Sequence, residues 1–535
     1  MISEINKIIR QVKILKKIKA LIRYEMIDLR RSPIVWVILI LYAIGVQQDF
    51  SGIFFVVDKP LTLFSFIVYS WLPLNFIMIP VLLVNMNIGY NSNEIFNTMD
   101  ISPSEIMLSK ILTLVLFDGV ILLSNTTIFV IVALLCKVSL GYMLHQFLGY
   151  FVNTIIFLIV CSALGLFFGR VISRYVGTVI SSISTVILFL LLCNFYKTNN
   201  SVFPLIDLNV FAKSFDVIRY DNSYFYHNAL WLVLAIIMVL LSFKFKNKLM
   251  HRSSLVALLV ISVYLGGNIF LFKPTFYDIT IKAKVQDGDN LAALKTYFSD
   301  KNVDYHVDKY KMDLKIGDNF ENNCEMEILV SGNSVKSIEL GLFEKLEIKS
   351  LEVDGEKLSF TRTNKSFKVN LPKEYKKGEI INLKVQYAGI INTVWWQGQA
   401  SFHSTDNSIF LADVFEWYPK QNDEMVKKYD INIKYSGKNK IYSNLNQENK
   451  SGEYKLTGED KEIFLVSNKM VERKYKTYLL VGNEENINND KWCEQEINYY
   501  KTNNIEDKKT IIFALSVPGG IFGQSYKNAA LDSVD

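Results

Sequence analysis

Histidine, glutamate and cysteine are the residues of this sequence that could hold a catalytic metal, and their spacing forms no metal site. Zinc-dependent amide hydrolysis uses the pattern H-E-x-x-H on a helix, where two imidazoles bind zinc and the glutamate lies beside the bound water. None of the five histidines begins this pattern: His145, His227, His251, His306 and His403. We therefore predict no catalytic residue, no metal and no cofactor in this chain. His306 and His403 are predicted to lie in surface loops.

Other groups with potential chemistry are few. No G-x-x-x-x-G-K-[ST] loop occurs, so ATP hydrolysis would have to come from another subunit. Asp118 lies in a long apolar segment, where an acid is a functional candidate. Its position shortly after Lys110 favours snorkelling to the membrane interface or pairing with a neighbouring helix over binding a substrate. Cys324 and Cys493 are far apart in sequence, and their spacing leaves open whether they form a disulfide.

The elements that carry these residues in the first half have the composition of membrane spans. Between Ser32 and Phe272 only about twenty residues are charged, too few to solvate a globular surface. Lysine and arginine are more frequent in the loops that lie on the same side of the membrane as the N-terminus than in the other loops. Because cytoplasmic loops carry an excess of basic residues, the N-terminus is predicted to be cytoplasmic and the chain after Phe272 extracytoplasmic. Seven spans are predicted, near residues 33–49, 62–87, 111–135, 147–168, 176–195, 228–244 and 255–272.

The N-terminal residues 1–31 are predicted to form a cytoplasmic amphipathic helix. Basic residues between Lys7 and Arg23 interleave with apolar ones at roughly helical spacing. Such a helix lies on an anionic lipid leaflet, so membrane lipid is a predicted partner and nucleic acid is not. A secretory signal is the alternative, but no small-residue cleavage site is present and further apolar segments follow.

The loop from Asn93 to Leu112 has an acidic start, a Ser-Pro turn and a lysine before the third predicted span. Ser102 or Ser104 could cap the next helix, and Pro103 suits its first turn. Together with LIRYEMIDLRRSPIVWVIL near the N-terminus, this loop resembles permeases of the type-2 ABC exporter class, over about residues 1–245. The resemblance implies a dimer of permease chains and a coupling loop that docks on an ATP-binding subunit supplied in trans; an ordinary capped loop is the alternative. The implied contact residues are Glu94, Phe96, Met99, Asp100, Ser102 and Pro103.

After Tyr277 the sequence changes to short strands with period-two alternation and Asp-Gly or Lys-Gly turns, which predicts a β-sandwich or saddle. Three motifs follow in order: LPKEYKKGEIINLKVQYAG, FEWYPKQND and YDINIKYSGKNKIYSN. They resemble the N-terminal β-domain of zinc aminopeptidases of the gluzincin class, over roughly His306 to Gly482. Trp417, Tyr418 and Pro419 are then predicted to be structural, with Pro419 fixing a turn and the rings covering an edge where a peptidase domain would dock. The segment TIIFALSVPGG resembles the first strand of that domain, and we expect it to be a buried strand without a partner in this chain.

These patterns predict a multi-pass α-helical membrane domain of about seven spans, followed by an extracytoplasmic all-β sandwich or saddle domain. The predicted function is the permease subunit of an ABC-type exporter in the cell membrane, energised by a separate ATPase, with a non-catalytic β-domain. One alternative is a membrane-anchored metallopeptidase, or a fragment of one, whose catalytic zinc part is not in this chain. Another is a sensor or resistance factor whose outer domain binds a peptide. The predicted boundaries are 1–31 for the cytoplasmic helix, 32–272 for the permease domain, 273–305 for a linker, 306–482 for the β-domain and 483–535 for an incomplete start of a peptidase-like domain.

Overall fold

The computed structural model describes two compact units. The helical unit comprises Met1–Leu208 and Tyr224–Lys273, and the β unit comprises Asn209–Ser223 and Pro274–Asp535. Apart from gaps of one or two residues, the structure describes residues 2–31, 101–171, 220–246, 278–281, 304–395, 401–502, 510–516, 524–525 and 529–534.

The described part of the helical unit consists of long helices: α1 (Ile2–Arg31), α2 (Pro103–Leu135), α3 (Leu140–Val171) and α4 (Asn222–Lys246). Two stretches, Ser104–Leu135 and Leu140–Phe167, are long and apolar enough to cross a membrane. They coincide with the predicted spans 111–135 and 147–168, and α4 coincides with 228–244 but holds only a shorter apolar stretch. The other predicted spans, 33–49, 62–87, 176–195 and 255–272, lie outside the described ranges, so the number seven stays a prediction.

Helix α2 begins where the sequence places its start signals. Of the two candidate serines, Ser102 is the cap: its Oγ accepts a hydrogen bond from the Glu105 amide at 3.3 Å. In return, the Glu105 carboxylate accepts one from the Ser102 amide at 2.7 Å, which completes a capping box, and Pro103 is the first helical residue. A cap of this kind stabilises a helix by about 1 kcal/mol.

The described part of the β unit contains three sheets of a β-domain and a fourth sheet near the C-terminus. Its strands are β1 (Asp278–Ile281), β2 (Tyr305–Ile316), β3 (Phe320–Val330), β4 (Ser334–Gly341), β5 (Leu346–Val353), β6 (Glu356–Lys357), β7 (Phe360–Arg362), β8 (Ser366–Lys376), β9 (Ile380–Gly389), β10 (Asn392–Trp395), β11 (Ser401–Ser404), β12 (Ile409–Leu411), β13 (Lys427–Tyr435), β14 (Asn446–Lys450), β15 (Glu453–Asp460), β16 (Leu465–Ser467), β17 (Val471–Tyr475), β18 (Tyr478–Gly482), β19 (Thr510–Ser516), β20 (Gln524–Ser525) and β21 (Ala529–Val534).

The main sheet has eight strands in the order β14-β15-β13-β2-β3-β9-β5-β6. All its pairs are antiparallel except β13 and β2, which run parallel with Tyr429 opposite Tyr310. The two smaller sheets of the β-domain have the orders β1-β10-β11-β12-β16 and β4-β8-β7.

Alternation along each strand separates the core from the outer face. In β3, buried and half-buried residues alternate over the whole strand, which puts Cys324 and Met326 in the core and Glu325 on the outer face. The turn between β5 and β6 has Asp354 and Gly355 at φ 49° and 90°. Two successive positive φ values form the tight hairpin turn that an Asp-Gly pair favours. The described parts of the chain thus combine apolar helices with a large β-sheet domain. The apolar composition of the first half predicts the helices, and the period-two alternation predicts the sheets.

The fourth sheet has the order β17-β18-β19-β21-β20. Two helices, α5 (Glu484–Ile487) and α6 (Asp490–Thr502), lie between β18 and β19 in sequence. Strand β19 pairs in parallel with both β18 and β21. The expectation that TIIFALSVPGG has no partner strand in this chain is therefore wrong, because the connection through α6 brings β19 beside β18.

Strand β18 belongs to two apolar cores. Tyr478 and Leu480 pack with residues of α5 and α6, whereas Leu479 and Val481 pack against the core of the β-domain. This division follows from the strand geometry, since successive side chains point to opposite faces. Strands β17 and β18 precede the predicted boundary at Gly482, yet they pair into the same sheet as the strands that follow it.

Candidate functional site

The Trp-Tyr-Pro segment is held against the end of β4 by backbone hydrogen bonds. The Lys420 amide donates to the Gly341 carbonyl at 3.0 Å, and the Gly341 amide donates to the Lys420 carbonyl at 2.8 Å. The Phe343 amide donates to the Glu416 carbonyl at 2.8 Å. A β-carbon at position 341 would overlap the Glu416 carboxylate, so the close approach depends on glycine.

The aromatic side chains of this segment are buried in the core. Trp417 and Tyr418 are 0% and 1% exposed, and the Tyr418 ring meets that of Tyr310 edge-on at 5.3 Å. Two tyrosine hydroxyls satisfy backbone carbonyls of the segment: Tyr310 donates to Pro419 at 3.0 Å, and Tyr387 donates to Trp417 at 3.2 Å. Burial raises the pKa of Tyr310, Tyr387 and Tyr418 well above that of an ordinary phenol. Both Trp417 and Tyr418 lie inside the core of the β-domain, and their structural role stays a prediction.

A buried ionic cluster adjoins the same segment. The Lys420 ammonium donates to the Asp413 carbonyl and to Glu462 Oε1, the latter at 2.9 Å. Burial alone would lower the pKa of Lys420, but the charges of Glu462, Asp413 and Glu416 outweigh it and raise the pKa. Lys420 is therefore protonated at neutral pH, so it acts as a structural cation and cannot act as a nucleophile or base.

No metal site is found among the described residues, where no group of three or more histidine, cysteine or acidic side chains is arranged to hold an ion. His306 lies in β2 and is half-buried, and His403 lies in β11 and is buried. The expectation that both histidines lie in surface loops is wrong. His403 can be inside because Ser408 Oγ lies 2.6 Å from its Nε2, which gives the ring nitrogen a hydrogen-bonding partner.

Cys324 in β3 and Cys493 in α6 are buried free thiols, so the structure does not pair them. Burial raises the pKa of Cys324 far above that of an ordinary thiol, and it raises the pKa of Cys493 to about 11. Because the thiolate is the reactive form, neither residue is suited to nucleophilic chemistry at neutral pH.

The outer face of the main sheet bounds a cleft of about 700 Å³. Its charged side chains largely neutralise one another across strands. Lys384 lies 2.9 Å from Glu325, and Lys309 lies 2.9 Å from Glu327. Opposite charges on neighbouring strands stabilise a sheet, and this arrangement selects no ligand of one charge.

The structure describes only the C-terminal end of the predicted coupling loop. Ser102 and Pro103 form the start of α2. Glu94, Phe96, Met99 and Asp100 lie outside the described residues. The role of the six predicted contact residues therefore stays a prediction.

Lys110 and Asp118 of α2 each form a polar contact with a neighbouring helix. Lys110 of α2 donates to Glu25 of α1 at 3.1 Å, and Ser162 of α3 donates to Asp118 of α2. The second contact agrees with the expectation that Asp118 pairs with a neighbouring helix. The first was not predicted, because Lys110 suggested only the start of a span. Its sequence signal is that Glu25 interrupts an apolar seam on α1.

Comparisons with known proteins give likeness of fold only. No family profile and no curated protein matches the chain. Similar solved structures include an M1 zinc metallopeptidase from Deinococcus radiodurans, with 13% identity, a TM-score of 0.26 and coverage of 33% of this chain and 47% of that one. Native leukotriene A4 hydrolase from Saccharomyces cerevisiae is similar with 11% identity and a TM-score of 0.32, covering 43% of this chain and 41% of that one. The chain thus spans less than half the length of either neighbour.

Proposed function

We propose that this chain is the membrane-anchored, non-catalytic part of an aminopeptidase-like metallopeptidase whose catalytic zinc part is not in this chain. The three ordered motifs ending in YDINIKYSGKNKIYSN support a β-domain of the aminopeptidase type. The long apolar helices α2 and α3 support anchoring to a membrane. The sequence contains no H-E-x-x-H, so the zinc-binding residues of such a peptidase would lie outside it.

The observation that carries this proposal is the position of β18 between two cores. One face of β18 completes the β-domain with Val481, and its other face begins a second core with Leu480, Trp492 and Cys493. That second core is followed by further parallel strand pairing at β19 and β21. Such an arrangement supports a second domain built directly on the first, in the order that a β-domain followed by a peptidase domain requires.

In this proposal the β-domain acts as a rigid support. The buried Trp417 and Tyr418 and the Lys420–Glu462 pair fix the FEWYPK segment, so that the parts resting on it keep one geometry. Among the described residues, no group of histidine, cysteine or acidic side chains is arranged to bind zinc. The contribution of the chain would be to hold the zinc-bearing part at the membrane and in a defined orientation.

The direct test compares the purified chain alone with the same chain fused to, or co-expressed with, the adjacent coding sequence that contains H-E-x-x-H. Alone, we expect no chelator-sensitive turnover of aminoacyl reporter substrates, and added zinc should not shift its melting temperature, since a bound ligand stabilises the folded state. With the added part, we expect zinc binding and turnover that chelators inhibit. Tight zinc binding with turnover by the chain alone would contradict the proposal, as would a combined protein that neither binds zinc nor turns over these substrates.

A second candidate is the permease subunit of an ABC-type exporter, with an ATP-binding subunit in trans and a second permease chain. The capped start of α2 at Ser102 favours it, because this firm helix start directly follows the predicted coupling loop. Combining Glu94→Lys with Asp100→Lys should then reduce co-purification of the ATPase and its stimulation, because charges at the rim of an interface steer association. Lys137→Glu, in the turn after α2, is the control. Unchanged association and ATPase stimulation would remove this candidate.

Both candidates share an extracytoplasmic β-domain, which is a proposal of its own. Glu356 is exposed on the short strand β6, so a cysteine there is accessible if the domain is outside. Glu356→Cys should be labelled by a membrane-impermeant reagent in intact cells. Labelling only after permeabilisation would place the domain in the cytoplasm.

A further inference from the structure

Helices α1 and α2 pack through a narrow seam with one constant offset. On α1 the buried seam residues are Ile18, Leu21, Glu25 and Leu29. Leu21 clusters with Ile106, Glu25 pairs with Lys110, and Leu29 clusters with Leu114. All three pairs have the same separation of 85 residues as the ion pair. Because the partners advance by one helical turn on both helices together, the two helices run parallel in this region.

The middle pair of this seam is fully enclosed. The side chains of Lys110 and Glu25 are 0% and 2% exposed, and their charged atoms lie 3.1 Å apart. Apolar contacts flank the pair one turn before and one turn after. A buried ion pair adds little net stability compared with well-packed apolar residues, because both charges lose their hydration. We therefore expect the pair to select one relative position of the two helices and to add little to the free energy of unfolding.

We infer that the Glu25–Lys110 pair fixes the register of α1 on α2. If α1 slipped by one turn in either direction, Glu25 would face Ile106 or Leu114, and Lys110 would face Leu29 or Leu21. Both charges would then be buried against apolar side chains instead of against each other. The ion pair thus excludes slipped registers that apolar residues at positions 25 and 110 would allow.

This register also links the N-terminal helix to the loop before α2. Lys110 lies about two turns after the capped start of α2 at Ser102, so its ion pair attaches α1 to α2 close to the end of that loop. Whatever binds the loop, a displacement of α2 at this point would be transmitted to α1 without a change of register. The inference holds for either function proposed above.

The test reads the register directly by disulfide crosslinking in the full-length protein in membranes. Leu21→Cys with Ile106→Cys reports the native offset, and Lys17→Cys with Ile106→Cys reports the slip by one turn. Disulfides require α-carbons about 4.4–6.8 Å apart, so the two reporters distinguish the registers. With Glu25 and Lys110 intact, we expect crosslinking only in the native reporter.

The decisive variant replaces the pair by apolar residues, Glu25→Leu with Lys110→Met, because such replacements usually keep a protein folded. We expect both reporters to crosslink, with a ratio within about tenfold of unity in place of a preference of about a hundredfold or more. The reversed pair, Glu25→Lys with Lys110→Glu, should restore the native reporter alone, and Lys19→Met, an exposed lysine of α1, should change nothing. Crosslinking of the apolar variant only in the native register would overturn the inference, and so would a reversed pair that crosslinks in both registers.

Discussion

The described parts of the two units differ in where their large apolar side chains lie. In the β-domain, the largest buried side chains include Trp417 and Tyr418, and the Lys–Glu pairs of the main sheet lie on its outer face. In the helical unit, Lys110 and Asp118 are buried, whereas α2 exposes large apolar residues such as Val120 and Leu123.

Two different solvents would produce this difference. An apolar core with a charged surface is the arrangement that water imposes. In a membrane, lipid accepts apolar side chains and ionisable residues turn inward to pair with one another. The arrangement on α2 thus agrees with the length and hydropathy of this helix, although it is read from an independent property, the direction in which each side chain points.

The core of the β-domain provides the strongest test of this comparison. Trp417→Ala should lower the free energy of unfolding of the β-domain by about 3–5 kcal/mol, since it removes a fully enclosed ring. Phe360→Ala, at an aromatic residue that is 36% exposed, is the control and should cost less than about 1 kcal/mol. Urea-dependent proteolysis of the full chain measures both. Similar effects for the two variants would mean that Trp417 does not lie in a packed core.

The exposed face of α2 provides the next test. Leu123 is 68% exposed, and an arginine there should cost about 2.5–3.5 kcal/mol if the residue faces lipid, which would lower the amount of inserted protein. Ile380→Arg is the matched control, because Ile380 is 53% exposed on the β-domain and should tolerate the charge. The measurement is the protein retained in carbonate-washed membranes. If both variants behave like the wild type, the exposed side of α2 does not face lipid.

The smallest effect concerns the charged outer face of the main sheet. The hydrogen bond from Lys384, and then the charges of Lys384 and Lys311, lower the pKa of Glu325 against the opposing effect of burial. A lowered pKa stabilises the fold above the pKa of the unfolded carboxyl, about 4.3, and this contribution is lost as the pH falls through the folded value. Lys384→Met should therefore cost about 0.2–1 kcal/mol at pH 7 and progressively less below about pH 4.

The control for this pair is Lys428→Met, at an exposed lysine of β13, and urea unfolding at both pH values measures the difference. A cost for Lys384→Met that stays constant down to acidic pH would show that its side chain contributes by packing and not by its charge.

The comparison also separates what the sequence predicts from what it cannot. Local patterns predicted the alternation of β3, the Asp354-Gly355 turn and a capped helix start at Ser102 or Ser104, because each depends on neighbouring residues alone. Contacts between residues that are far apart in sequence were not predictable from local patterns. Glu25 and Lys110 lie on different helices and are 85 residues apart in sequence. Strands β18 and β19 pair although α5 and α6 separate them in sequence. For His403, residue type favoured the surface, and the hydrogen-bonding partner that permits burial is visible only in three dimensions.

Because β18 contributes side chains to two apolar cores, it determines where the chain can be shortened without exposing one of them. A polypeptide ended at Gly482, where the predicted β-domain ends, would keep Val481 in the β-domain core but lose α5, α6 and β19. Tyr478 and Leu480 would then face water next to a strand edge with unpaired amides and carbonyls. Exposed apolar strands with open edges associate with one another, so such a fragment should form oligomers or aggregates although its main core is intact. A soluble fragment of this protein therefore needs to extend at least through β19.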